Sequence, residues 1–202
     1  MTLLLARGYE DTTMRAIAEE AGVSLGNAYY YFESKEQLIQ AFYGRTHVEH
    51  VAACTRILES GGTLRDRLLA VMHAKLDTIE PYHRFAGALF RTAADPGSPL
   101  NPFSEESAPV REESTALFRD VVNGSTTRVP DDLRTELPRL LWTYHMGVIL
   151  YWIHDRSAGR VKSRRFVDRS VDLIARLIVL GSNPLLRPVR RSILELISDA
   201  GA

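Results

Sequence analysis

The sequence predicts an all-α protein, and three observations predict it. Sustained apolar–polar alternation, the mark of strands, is absent, and Asn123-Gly124 closes a helical stretch rather than joining two alternating runs. Apolar residues recur instead at helical spacing. Breakers such as Gly61-Gly62, Asp95-Pro96-Gly97-Ser98-Pro99 and Asn123-Gly124-Ser125 cut those periods into segments of helical length. With 202 residues, 45 % of them hydrophobic, the chain can bury a sizeable core and has room for a small domain joined to a larger one.

The elements follow in order. Residues through Ala6 form a short first helix that ends at Gly8, a residue suited to the positive φ found just after a helix. Two short helices are expected over Thr13–Ala21 and Ser24–Phe32. A long helix runs from Ser34 to Ser60, with Leu38, Phe42, Val48, Val51, Cys54 and Leu58 expected on its inward stripe. Thr63–Ile79 places Leu64, Leu68, Val71, Met72 and Leu76 inward. Pro81 opens a helix to Ala94, and Glu105–Val122 follows the Asp95–Pro99 break. Asp131 starts a long helix to Ser157. A basic loop, Gly159–Arg165, leads to a helix over Phe166–Leu180, and Pro184 or Pro188 opens the last one. The total is nine or ten helices. The boundary falls inside the long fourth helix, dividing a three-helix head (1–46) from a helical body (47–202).

Several function classes are excluded at this level. Lysine plus arginine and aspartate plus glutamate each number 25, so net charge gives no global pointer to nucleic acid. A single cysteine, Cys54, forbids an internal disulfide and a cysteine metal cluster. No Gly-x-Ser-x-Gly, phosphate-cradling glycine loop or His-Glu-x-x-His is present, so neither an enzyme nor a cofactor is expected. His47 and His50 have a spacing compatible with a metal. With no acid or cysteine partner placeable, they are expected at the solvated surface, and no metal is expected. The longest apolar run, Leu137–Ile153, is interrupted by His145 and falls short of the ~20 residues of a membrane span. With no secretory leader pattern at Met1–Ala6, a soluble cytoplasmic protein is expected.

The segment Thr13–Lys35 reads TMRAIAEEAGVSLGNAYYYFESK. Thr13 and Ser24 can cap successive helices. Gly22 tolerates the tight turn between them, and Val23 is expected to plug the corner. Ile17, Ala18, Ala28 and Phe32 face inward, the small alanines allowing a close, steep crossing. This is the pattern of a helix-turn-helix, whose second helix enters the major groove by its N-terminal end. Its outer face presents Leu25, Gly26, Asn27, Tyr29, Tyr30 and Tyr31. Asn27 can form paired hydrogen bonds with adenine, and Leu25 can pack on a thymine methyl. Tyrosine hydroxyls can bond phosphates, and Lys35 at the next helix start suits another. Arg15 can reach a base edge or the backbone. Positions 29–31 span about 200° of a helix, so three tyrosines cannot all be buried in so small a head.

The head resembles the tetracycline-repressor (TetR) family of bacterial regulators. The resemblance rests on Arg7-Gly8-Tyr9, Thr12-Thr13, Ile17-Ala18, Ala21-Gly22-Val23-Ser24, Gly26, Tyr29, Tyr31-Phe32, Ser34-Lys35 and Leu38, and covers about the first 45 residues. It implies a homodimer, a palindromic double-stranded DNA operator and repression relieved by a small-molecule effector. It also implies DNA contacts at Thr13, Arg15, Ser24, Leu25, Gly26, Asn27, Tyr29, Tyr30, Tyr31 and Lys35. Leu25 departs from the lysine often found there. The first helix is expected to be cut short, with much of the basic footprint upstream of Met1. Within residues 1–47, Arg7, Arg15, Lys35 and Arg45 face Glu10, Asp11, Glu19, Glu20, Glu33 and Glu36, a net of −2. Weak DNA affinity with a shallow salt slope is the expectation.

For the body, the resemblance implies an effector pocket among central helices and a dimer through the last two long ones. Candidate pocket residues are Cys54, Met72, Leu76, Phe85, Leu89, Phe90, Phe103, Phe118, Trp142, His145 and Met146, with His145 as a polar handle and Asp95–Phe103 framing an entrance. Candidate interface residues are Leu141, Val148, Trp152, Val167, Val171, Ile174 and Ile178. No lysine or arginine is expected to point inward, which favours a hydrophobic or amphipathic effector over a highly anionic one. The competing reading is a helical protein-interaction module whose head no longer binds DNA.

Overall fold

A computed structural model of the chain describes residues 2–199. Among these, ten α-helices and three single 3-10 turns are present and no strand. The helices are α1 (Thr2–Arg7), α2 (Met14–Glu20), α3 (Leu25–Tyr31), α4 (Lys35–Glu59), α5 (Leu64–Ile79), α6 (His83–Ala93), α7 (Ala108–Asn123), α8 (Asp131–His154), α9 (Val161–Gly181) and α10 (Arg187–Asp199). Four starts are fixed by a hydroxyl that accepts a backbone N–H three residues on: Thr13 from Ala16, Ser24 from Asn27, Ser34 from Gln37 and Thr63 from Asp66, at 3.1–3.2 Å. Each such cap contributes about 1 kcal/mol. Gly8 and Gly22, at φ +81° and +66°, turn the chain after α1 and α2.

Several boundaries move from their expected places; α6 starts at His83 rather than Pro81, and α8 ends at His154 rather than Ser157. Helix α7 starts at Ala108 rather than Glu105. Helix α9 starts at Val161, so most of the expected basic loop is helical. Asp155 supplies the reason for α9. Its carboxylate accepts from the backbone N–H and hydroxyl of both Ser157 and Ser163, at 2.6–2.9 Å. A buried acid at the positive end of α9 satisfies donors that the helix itself leaves open. Those bonds hold the carboxyl well below the usual carboxylate range, despite a burial that acts the other way.

The apolar side chains divide into two clusters. The larger lies inside the body, with Leu68, Val71, Met72 and Leu76 of α5 against Leu117, Phe118 and Val121 of α7, Leu141 and Val148 of α8, and Val167 and Val171 of α9. The smaller joins head to body: Leu4, Tyr9 and Ile39 pack with Phe85, Leu89 and Leu100. Helix α4 runs unbroken through both. Its buried face is Ile39, Thr46, His47, His50 and Cys54. The expected stripe fails at Val48 and Val51, which are exposed. From Phe42 and Tyr43 the helical step lands on Thr46, His47 and His50, so polar residues occupy the inward positions and the valines turn out.

Candidate nucleic-acid interface and effector cavity

In the head, α2 packs by Met14 and Ala18, while Ile17 is half-buried and no residue of α3 is fully buried. Ala28 and Phe32 are half-buried against α2, and Leu25 is half-buried as well. Val23 remains 40 % exposed and does not fill the corner; its backbone N–H bonds the Ala18 carbonyl at 3.0 Å. Thr13, Arg15, Ser24, Gly26, Asn27, Tyr29, Tyr30 and Tyr31 are all exposed around the start of α2 and the outer face of α3. Tyr30 and Tyr31 stack edge to face, with centroids 5.1 Å apart.

Lys35 is placed differently. Its ammonium donates to the Tyr9 carbonyl and lies 3.8 Å from the centre of the Tyr9 ring. The Tyr9 hydroxyl donates to Glu36. Burial, reinforced by the Glu36 carboxylate, pushes that phenol upward, so it stays protonated. Lys35 therefore ties the α1–α2 corner to α4. Thr12 closes the α1–α2 corner on itself, donating to the Gly8 carbonyl at 2.6 Å.

In the body, a cavity of about 240 Å³ lies between α4, α5, α6, α7 and α8. Of the expected pocket residues, Phe85, Leu89, Phe90, Trp142, His145 and Met146 line it. Cys54, Met72, Leu76 and Phe118 do not; they belong to the buried core of the body. Phe103 is 64 % exposed and stacks on Trp142 from outside the wall, at 5.2 Å between centroids. Sequence reasoning missed Tyr43, Thr46, His47, Lys75, Ile79 and Tyr82, which also line the space.

Four residues reverse an expectation. His47 and His50 are buried rather than solvated, and Arg67 and Lys75 are buried cations where none was expected. His50 donates from Nε2 to the Val71 carbonyl at 3.0 Å, which leaves Nδ1 without a partner. Neither ring nitrogen of His145 has a partner. Desolvation and the nearby Lys75 charge lower both: His50 falls to about 3, and His145 lies well below the ordinary histidine range. His47 is lowered for the same reasons, opposed by Glu113 at 3.6 Å. All three are neutral at pH 7. Among the described residues, no group of three metal-ligating side chains is assembled.

The interface residues expected from sequence also fall elsewhere. Leu141, Val148, Trp152, Val167, Val171 and Ile178 are buried within the protomer, and Ile174 is half-buried. Trp152 lines the cavity and donates from Nε1 to Glu80 at 3.2 Å. Helices α8 and α9 are apolar on both sides, and the fully buried set is the one facing α5 and α7. Their outward apolar residues are Tyr151, Phe166, Leu173, Leu177 and Leu180. No helix among the described residues is long and apolar enough to cross a membrane.

A helix-turn-helix with an exposed, hydroxyl-rich recognition helix, mounted on a helical body, defines a bacterial DNA-binding transcriptional regulator. Residues 1–42 match the family model described as bacterial regulatory proteins, tetR family, and residues 67–196 match the Tetracyclin repressor-like C-terminal domain. The chain belongs to the TetR family. It is 43 % identical to the HTH-type transcriptional repressor KstR of Mycolicibacterium smegmatis over 174 residues, covering 85 % of this chain and 79 % of the relative. The KstR repressor of Mycobacterium tuberculosis is 25 % identical over 179 residues, covering 89 % and 76 %. The crystal structure of the TetR-family regulator PfmR from Thermus thermophilus shares the fold, with a TM-score of 0.58 at 20 % identity over 86 % of this chain and 90 % of that one. These relatives are transcriptional regulators, and this chain is one rather than an enzyme.

Proposed function

We propose that the chain is a cytoplasmic, homodimeric repressor that binds a palindromic operator and is released by a small amphipathic effector seated in the body cavity. One observation carries this reading: Phe85 and Leu89 of α6 belong to two structures at once. They pack with Leu4, Tyr9 and Ile39 where the head meets the body, and they form part of the cavity wall. A ligand that repositions α6 changes the seat of α1 and of the N-terminal half of α4. Because interiors are close-packed, such a shift is transmitted rather than absorbed.

Recognition rests on Asn27 as base reader, with Leu25 beside it. Thr13, Ser24, Tyr29, Tyr30, Tyr31 and the backbone at Gly26 act as positioning contacts, and Arg15 and Lys35 supply the charge. With so few cations, affinity depends on hydrogen bonds more than on counterion release. The dimer reading is supported by Phe166, Leu173, Leu177 and Leu180, which recur along the exposed side of α9 at steps of seven, four and three, the spacing of a helix-packing seam. Exposed Tyr151 stacks on Phe166 at 4.8 Å beside it.

Selection of bound duplexes from a random pool tests the proposal. Enrichment of a palindrome with half-sites about one DNA turn apart, and relaxed base preference in Asn27→Ala, is the expected result. Failure to enrich any palindrome sinks it and leaves a helical interaction module.

A further inference from the structure

Two polar side chains of the cavity wall are left unanswered by the protein, and one of them carries a charge. Lys75 is 9 % exposed on α5, and among the described residues its ammonium has no hydrogen bond and no ion pair. Lysine is almost never buried without a partner, because desolvating an ammonium costs far more than packing its stem returns. The other long polar side chains of the wall are satisfied. Gln40 donates to the Pro99 carbonyl at 2.6 Å, Arg111 to the Pro102 and Ser104 carbonyls at 2.8 and 2.9 Å, and the Thr46 hydroxyl to the Tyr43 carbonyl at 2.9 Å. His145, 3 % exposed on the facing α8, is the second exception, with both ring nitrogens unpartnered.

No protein group supplies the missing negative charge. Glu113 of α7 pairs with His47 and is otherwise exposed. The Cys54 thiol of α4 is pushed up to about 11 by burial and stays neutral. His47, His50 and His145 are lowered, and so carry no charge at pH 7. The remainder of the wall, including Phe85, Leu89, Ile149 and Ile153, is apolar.

We infer that the cavity takes an amphipathic carboxylic acid, its carboxylate paired with Lys75, its hydrocarbon body among the α6 and α8 side chains. The inference rests on the cavity being the effector site. A charge-assisted bond to a desolvated ammonium is among the stronger polar contacts a site can make. The apolar walls select the body by area and not by shape of charge. A ligand with a neutral or cationic head leaves Lys75 unpaired and loses that contact, a difference on the order of 10- to 100-fold in affinity.

The test is calorimetric titration of the full chain with decanoate, decan-1-ol and decylammonium, repeated on Lys75→Met. The expected result is tenfold or greater preference for decanoate over decan-1-ol in the wild type, no binding of decylammonium, and loss of the preference in Lys75→Met with decan-1-ol binding kept or improved. Equal affinity for acid and alcohol in the wild type, retention of the preference in the variant, or binding of none of the three overturns it. A second readout needs no variant: the carboxyl carbon of ¹³C-labelled decanoate, titrated by NMR in the complex, should ionise at lower pH than free decanoate, and an unchanged or raised value overturns the pairing. Operator release is measured separately. Lys75-dependent binding without release upholds the ligand and rejects the effector reading.

Discussion

Arg67 and Lys75 sit two turns apart on α5, both cationic and both buried, and the protein treats them in opposite ways. Arg67 is fully answered: Nε donates to the Val121 carbonyl at 3.1 Å, Nη1 to Leu58 at 2.8 Å and Nη2 to Asp120 at 2.9 Å. Those carbonyls close the last turns of α4 and α7, where both helix dipoles are negative. Lys75 meets only neutral groups and a cavity. A buried cation that the fold needs brings its acceptors with it; one that it does not need marks a place for something else.

The largest effect expected from breaking this comparison is at Arg67. Arg67→Ala leaves three carbonyls short of donors and should cost about 3–5 kcal/mol, seen as a lowered urea midpoint. Lys75 should behave the other way. Burial lowers it to about 8 from an ordinary 10.5, so between these values the unfolded chain holds the proton that the folded chain has released. Stability from this group is therefore lowest below pH 8 and rises by up to about 3 kcal/mol towards pH 10.5. Lys75→Met should be the more stable protein at pH 7.5, and urea titrations at pH 7.5 and 10 should show its advantage over the wild type shrink as the pH rises, a difference in which the opposing titration of the buried Cys54 thiol cancels. Third is Gly124, whose added Cβ would stand 2.3 Å from Arg67 Nη2. Gly124→Ala should cost about 2 kcal/mol, and the cost should vanish in an Arg67→Ala background. Smallest is Arg65, exposed on the same helix and paired with Asp172 at 2.5 Å. Arg65→Ala should leave the melting temperature unchanged, since solvent screens an exposed pair; a clear drop would mean that exposed cations of α5 matter as Arg67 does.

The architecture was legible because its signals are local. Thr13, Ser24, Ser34 and Thr63 cap where hydroxyls precede apolar periods, and Gly8 and Gly22 turn where positive φ is needed. The recognition face was legible because α3 is amphipathic over only two turns. The cavity was half legible. Lys75 lies seven residues after Leu68 and four after Val71, squarely on the apolar stripe of α5, and its spacing places it inside while its charge suggests outside. His47 and His50 carry the same conflict on α4, where His50 and Cys54 are one step apart. Such conflicts between period and polarity are where sites lie. The inward sides of α8 and α9 were not legible, because α8 carries apolar residues all round and the apolar arc of α9 is wider than the face it buries, so that only packing against α5 and α7 picks out the buried set.

Helix α4 has one further consequence. Arg67 grips it at Leu58, the cavity touches it at Tyr43, Thr46 and His47, and Lys35 holds the head at its other end. From Leu58 to Lys35 is about 34 Å at 1.5 Å per residue. A rod of that length, pinned at one end and nudged near the middle, carries its free end about 3 Å for a tilt of about 5°, which is roughly the rise of one base pair. On the proposed function, release from an operator then needs neither unfolding nor detachment of the head. The head has only to arrive one rung out of step.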